Sequence, residues 1–315
     1  DSRLTVLNAR DAADRGADIR TRSQVVTIAR QKSHWTVRYR GPHGIEHEAE
    51  AQVLINAAGP WASKVASLAL GAMQPAIRLV RGSHLIIRRR LEHGAAYTLQ
   101  NDDGRIMFAI PYGDDLTLLG TTDQDHPGDP SSPEVTDVER DYILQSANAY
   151  LREALTPADI VHAYAGVRAL YNDGASAAKD ATREYVLALD DAGAPILSVY
   201  GGKITTYRKL AEAAMARLAP HIPALGSADW TAKSALPGGD FAMQGRGDLV
   251  RSYVTRYPGF EPSMLARLVA AYGTKAGVIL GSARTSVDLG RHFGAGLYEA
   301  EVRYLMDREW AMTAD

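Results

Sequence analysis

Lys203 follows two glycines in LSVYGGKITTYRKLAEAAM, the stretch from Leu197 to Met215, which passes from an apolar strand pattern into an amphipathic helix pattern. A helix N-terminus leaves backbone N–H groups unpaired and carries about half a positive charge. Glycines just ahead of it let another group approach the backbone, so the turn suits an anion or an electron-rich oxygen. Lys203 adds a full charge on a flexible stem. The plain alternative is a tight turn with a solvated lysine. A second such turn is VLINAAGPWAS (53–63), where Ala57, Ala58 and Gly59 follow an apolar strand and precede a helix. Small residues at a strand's carboxyl end suit a cofactor at a sheet switch point, and ordinary strand-to-helix packing accounts for them equally. Arg168, in YAGVRALYNDGA, follows an apolar strand beside a glycine. It could grip a carboxylate or phosphate through two parallel hydrogen bonds, or serve as a surface ion-pair partner. Arg183, in DATREYVL, is open to the same two readings. His84, in LVRGSHLII, is either a hydrogen-bonded core residue or the best general base in the chain.

The elements that must hold these residues can be read from periodicity. DSRLTVLNARDAADRG gives a helix with Leu4, Leu7 and Ala12 on one stripe and Gly16 as its stop. QVVTIARQ and HWTVRYR are rich in β-branched and aromatic residues and begin a meander that IEHEAEAQVLINAAG completes. PWASKVASLAL reads as a helix with Pro60 in its first turn. AIRLVRGSHLIIRR is a strand, and RIMFAIPYGDDLTLLGTTD a hairpin turning at Gly113-Asp114-Asp115. TDVERDYILQSANAYLREAL is a helix opened by a capping box of Thr136 and Glu139. After the strand REYVLAL and the lysine turn, APHIPALG reads as a linker, and three segments beyond it have helical spacing.

With 315 residues, a formal charge of −2, 23% charged residues and no cysteine, the chain reads as an ordinary globular protein. That excludes disulfides and thiolate chemistry and gives no electrostatic case for nucleic acid. The nine histidines form no HExxH or paired spacing, so no metal site is expected. There is no run of 18 apolar residues. The complete G-x-G-x-x-G fingerprint of a dinucleotide site is missing: GRGDLV and GAGLYE each lack the third glycine.

In order along the chain, LNARDAADRGA, NAAGPWA, RLVRGSHLII, IPYGDDLTLLGTTD, GVRALYNDG, ATREYVL, GGKITTYRKLAE and LYEAEVRYLMDREWA resemble the FAD-dependent glycerol-3-phosphate dehydrogenases. The resemblance covers essentially the whole chain. One departure is Ala169, where the family has proline. It implies an α/β fold: part of a Rossmann-like FAD-binding domain of the glutathione-reductase and D-amino-acid-oxidase type, an antiparallel-sheet substrate domain and a helical C-terminal domain. The corresponding boundaries are 1–74 and 164–226 for the FAD-binding part, 75–163 for the sheet and 227–315 for the cap. The family's fingerprint segment lies outside these residues, so this stretch alone is expected to hold FAD weakly and to be inactive. The opening helix is expected to lack a partner for its apolar stripe.

The resemblance also implies roles. Gly201, Gly202, Thr205 and Thr206 would contact the flavin, Ala57, Ala58 and Gly59 the pyrophosphate and ribose, and Val25 the adenine. Arg168 and Lys203, with Arg183 as a weaker candidate, would face glycerol 3-phosphate, and His84 would accept its hydroxyl proton. Electrons would pass to a quinone, which implies a cytoplasmic protein peripheral at the inner face of the inner membrane, with room for a homodimer. Two other readings are a glycine-oxidase-type amine oxidase and a catalytically silent substrate-and-cap module.

Overall fold

The computed structural model describes residues 2–71, 77–89, 91, 94–113, 115–172, 184–222 and 228–314. Arg183, Asp114 and most of the segment after Asn172 lie outside the described residues. The chain opens with α1 (Ser2–Asp14) and the meander β1 (Gln24–Arg30), β2 (Trp35–Arg40) and β3 (Glu46–Ala51). A short β4 (Leu54–Asn56) leads through a tight turn at Gly59–Trp61 into α2 (Ala62–Leu70). Next come β5 (Ile77–Ile87), β6 (Tyr97–Gln100), β7 (Ile106–Tyr112), β8 (Leu116–Gly120) and β9 (Gln124–Asp125). Then follow α3 (Asp137–Asn148), β10 (Ile160–Tyr171), β11 (Tyr185–Asp190), β12 (Ile196–Gly201) and α4 (Tyr207–Leu218). The last stretch holds α5 (Arg246–Arg256), α6 (Pro262–Tyr272), α7 (Ala276–Leu280), the hairpin β13 (His292–Gly294) and β14 (Leu297–Tyr298), and α8 (Glu299–Glu309).

These elements form two compact units, Val25–Tyr39 with His47–Gly226, and Asp1–Gln24 with Arg40–Glu46 and Ser227–Asp315. In the first, β12 pairs antiparallel with β11 and parallel with β4, with Ser198 opposite Asn56. Leu197 buries one way with Ala214 and Leu218 of α4, and Ile196 the other way with Trp35 and Ala194. The meander is tied to this sheet by the Trp35 indole N–H, which donates to the Pro195 carbonyl at 2.8 Å, and by Arg30 Nε, which donates to the Ala194 carbonyl at 2.9 Å.

The larger sheet of this unit runs β10-β5-β8-β7-β6, all antiparallel, with β9 beside β5. Its period-2 alternation puts Leu85, Ile87, Met107, Ala109 and Leu119 on one face, against Ile143, Leu144 and Ala147 of α3. The other face carries His84, Phe108, Gly120 and Tyr164 in register. The capping box at Thr136 and Glu139 forms as expected. The helix it opens stops at Asn148, short of Leu155, because the Asn148 amide exchanges two hydrogen bonds with the Leu155 backbone and closes the chain into a loop. Arg168 lies within β10, opposite Val80, instead of after a strand.

In the second unit α5, α6, α7 and α8 surround a core that includes Tyr253, Leu265, Leu268, Val269 and Leu280. Glu301 of α8 is buried and accepts two hydrogen bonds from the Arg267 guanidinium and one from the Tyr272 hydroxyl. The helix α1 packs on α8. The contact is made through arginine stems and heads, with Arg3 paired to Glu309 and Arg10 over the Trp310 ring, while no α1 residue is fully buried.

Candidate active site

The parallel strands β4 and β12 end side by side, and each ends in a turn that begins a helix. At β4 the buried Asn56 side chain donates to the Ala62 carbonyl at 2.8 Å and accepts from the Ala58 N–H, so it shapes the Ala57-Ala58-Gly59 turn. At β12, Gly201 and Gly202 have φ of 71° and 101°, a left-handed conformation that side chains resist. A Cβ on Gly201 would also stand 2.8 Å from the Glu184 carbonyl oxygen. The chain then turns at Ile204–Thr206 into α4. Lys203, Ile204, Thr205 and Thr206 are exposed at its mouth. The Thr206 hydroxyl is spent within the turn, donating to the Lys203 carbonyl at 3.0 Å. Lys203 stands half-exposed, with Nζ 4.0 Å from the exposed Glu184 carboxylate.

The long strand β10 connects this corner to the larger sheet. It packs against β12 and against the Gly59–Trp61 turn, and Tyr171 N lies 3.3 Å from where a Gly201 Cβ would be. Three residues back, the Arg168 guanidinium donates from Nη1 to Asp123 Oδ1 at 2.7 Å and to the Thr122 carbonyl at 3.2 Å, and from Nη2 to Thr121 Oγ1 at 3.0 Å. It crosses directly over Gly82, where a Cβ would be 2.6 Å from Nη2. His84 stacks on Tyr164, the residue opposite it on β10, with ring centroids 5.0 Å apart. On its other neighbour, a Cβ at Gly120 would be 2.4 Å from His84 Cδ2. Gly82 within β5 and Gly120 at the end of β8 thus clear space for an arginine and a histidine. Burial, and then the positive charge of Arg168, hold the His84 imidazole below its ordinary value of 6.5, so it is neutral near pH 7. Its Nδ1 is buried without a hydrogen-bond partner among the described residues.

Behind this face the Glu139 carboxylate is buried and accepts hydrogen bonds from Thr122 Oγ1 at 2.7 Å, Ser83 Oγ at 3.0 Å and Thr136 Oγ1 at 2.8 Å, with Arg81 Nη2 at 2.8 Å. Burial pushes its affinity for a proton up, but the bonds from Thr122, Thr136 and Arg81 together outweigh it and leave the carboxyl below its ordinary range.

The structure therefore places Ala57, Ala58 and Gly59, Gly201 and Gly202, and Lys203 at adjoining strand ends, with Arg168 and His84 on β10 and β5 in the same unit. Thr205 shares the exposed mouth of α4, and Val25 stands exposed on β1. Sequence reasoning missed Thr121, Thr122, Asp123 and Glu139 as the support of Arg168, and Tyr164 as the partner of His84. The signal that was available is Gly82 inside an otherwise apolar strand, which marks a close approach.

The FAD dependent oxidoreductase family matches the chain over residues 1–208. The chain belongs to that family. It is 42% identical to the glycerol-3-phosphate dehydrogenase of Pseudomonas aeruginosa over 100% of this chain and 62% of that protein. It is 39% identical to the D-erythritol 1-phosphate dehydrogenase of Brucella abortus, over 100% and 63% respectively. The crystal structure of the glycerol-3-phosphate dehydrogenase of Bacillus halodurans complexed with FAD superposes with a TM-score of 0.83 at 27% identity, covering 99% of this chain and 62% of that one. The chain thus spans a little over three-fifths of the length of these relatives. The mixed fold, with a parallel pair flanked by helices and a separate antiparallel sheet, agrees with the FAD-binding class expected from the sequence. Among the described residues no helix is long and apolar enough to cross a membrane.

Proposed function

We propose that the protein of which this chain is part oxidises glycerol 3-phosphate to dihydroxyacetone phosphate, with FAD as cofactor. The observation that supports the proposal is that β10 carries both Arg168 and Tyr164, the stacking partner of His84, and also packs against the strand that ends at Gly201 and against the Gly59–Trp61 turn. Those strand ends suit a cofactor: a Cβ on Gly59 would meet open space, and the exposed start of α4 offers the N–H groups of a helix terminus. Gly201, Gly202 and Thr205, Ala57, Ala58 and Gly59, and Val25 would hold FAD. Bound FAD would supply the acceptor for the C2 hydrogen and its electron pair.

The side chains of this chain do the rest. Lys203 and Arg168 bind the phosphate dianion, and Arg183 is proposed to join them. His84, kept neutral, takes the proton of the C2 hydroxyl. A quinone acceptor, peripheral attachment at the cytoplasmic face of the inner membrane and a homodimer belong to the same proposal and rest on the resemblance alone. The relatives named for glycerol 3-phosphate and D-erythritol 1-phosphate favour a phosphorylated polyol over an amino acid. The test is dye-linked oxidation by the full-length protein of glycerol 3-phosphate, D-erythritol 1-phosphate, glycerol and glycine. Turnover with glycerol 3-phosphate at the highest kcat/KM is expected. Preference for glycine would overturn the assignment, and preference for D-erythritol 1-phosphate would replace the substrate within it.

A further inference from the structure

Arg168 is held by a loop, not by its own strand. Three acceptors converge on its guanidinium from consecutive residues: Thr121 Oγ1, the Thr122 carbonyl and the Asp123 carboxylate. The loop is itself pinned. Thr122 Oγ1 accepts from Ser83 N at 2.9 Å and donates to the buried Glu139 carboxylate, which the α3 cap and Arg81 hold in turn. The chain of bonds runs Thr136, Glu139, Thr122 and then Arg168.

A carboxylate 2.7 Å from an arginine that must bind an anion is unfavourable for that anion by charge alone. Asp123 is also largely buried, so solvent screens it little. Its presence needs a compensating benefit. The benefit is geometric, since a planar fork recognises phosphate only at a fixed angle, and two-sided anchoring sets that angle before the substrate arrives. Gly82 points the same way, because a Cβ there would stand 2.6 Å from both Arg168 Nη2 and Thr121 Oγ1.

We propose that Asp123 is a positioning residue for Arg168, fixing its guanidinium, on a loop locked from beneath by Glu139, at the angle that engages the substrate. This rests on the reading that Arg168 contacts the substrate, and the experiment separates the two claims. In the full-length flavoprotein, Asp123→Asn, Gly82→Ala, Arg168→Gln and the Asp123→Asn/Arg168→Gln double variant are compared. The readouts are kcat and KM for glycerol 3-phosphate, the inhibition constant of inorganic phosphate, and thermal unfolding.

Charge alone predicts that Asp123→Asn tightens phosphate. Positioning predicts the opposite: a KM and an inhibition constant raised roughly 10-fold, and kcat/KM lowered roughly 10- to 100-fold, the scale of a charge-assisted hydrogen bond. Gly82→Ala keeps every charge but pushes the fork aside and should give the same loss, which also covers the case in which Asp123→Asn fails to fold. The double variant should be no worse than Arg168→Gln, since residues acting as a unit are non-additive. Unchanged or tighter phosphate inhibition in Asp123→Asn, or full additivity in the double variant, overturns the proposal while Arg168→Gln still loses activity. Wild-type kinetics in Arg168→Gln overturn the underlying reading and the proposal with it.

Discussion

Replacing Lys203 with methionine should separate substrate binding from stability. The side chain is half-exposed, and its ion pair to Glu184 sits at the 4.0 Å limit with the partner 79% exposed. Such a pair contributes about 0–1 kcal/mol, so the variant should unfold close to the wild-type temperature. Methionine keeps the apolar stem and removes the charge. If Lys203 meets the substrate phosphate, it forms a charge-assisted hydrogen bond worth about 1.5–3 kcal/mol. At about 1.4 kcal/mol per factor of ten, kcat/KM for glycerol 3-phosphate falls roughly 10- to 100-fold. Dye-linked turnover of the full-length enzyme with glycerol 3-phosphate and with bare glycerol is the assay. Glycerol has no phosphate and should be affected much less. Lys203→Arg should rescue in part, because a planar fork does not reproduce a compact ammonium. Equal changes with both substrates, accompanied by a shifted flavin potential, would assign Lys203 to the cofactor. No change with either would show a solvated turn residue, and either result refutes the phosphate role.

Gly201→Ala should cost about 1–2 kcal/mol for its positive φ alone and more for the Cβ driven against the Glu184 carbonyl, read as a lower unfolding temperature and weakened flavin retention in the full-length protein. The kcat/KM profile should hold through neutral pH and fall only below 6.5, because burial and Arg168 lower the His84 value; Arg168→Gln should move the His84 titration, followed by NMR, back toward 6.5. The same shift means that the unfolded state binds the His84 proton first, so its contribution to stability grows as pH rises from the folded value to 6.5. Glu139 acts in the same sense at lower pH: its lowered carboxyl contributes stability above about 4.5 that is lost as pH falls through its folded value, and Glu139→Gln should flatten that acid limb in a pH series of thermal melts.

What was legible in the sequence was local. Gly201, Gly202 and Lys203 stand together where a strand pattern meets a helix pattern, and the structure puts them at a strand end as read. Thr136 and Glu139 were readable as a cap because the two stand only three positions apart. The buried role of the same Glu139 was not, since Ser83 and Thr122 reach it across 56 and 17 residues. Arg168 was visible as a cation beside a glycine, but its partner Asp123 is 45 positions away, and nothing in GTTD distinguishes an anchor from a turn. The ion pair of the opening helix, Arg3 with Glu309, was not legible because it spans 306 residues. The short elements β6, β9, α7 and the β13–β14 hairpin escaped the periodicity reading because two to five residues hold too little of a period.

The most direct test of the account is anaerobic addition of glycerol 3-phosphate to the full-length flavoprotein, followed by its visible spectrum. The account predicts that the oxidised-flavin absorbance disappears in step with formation of dihydroxyacetone phosphate, and that glycine leaves the spectrum unchanged. A spectrum unaltered by glycerol 3-phosphate but bleached by glycine would contradict it.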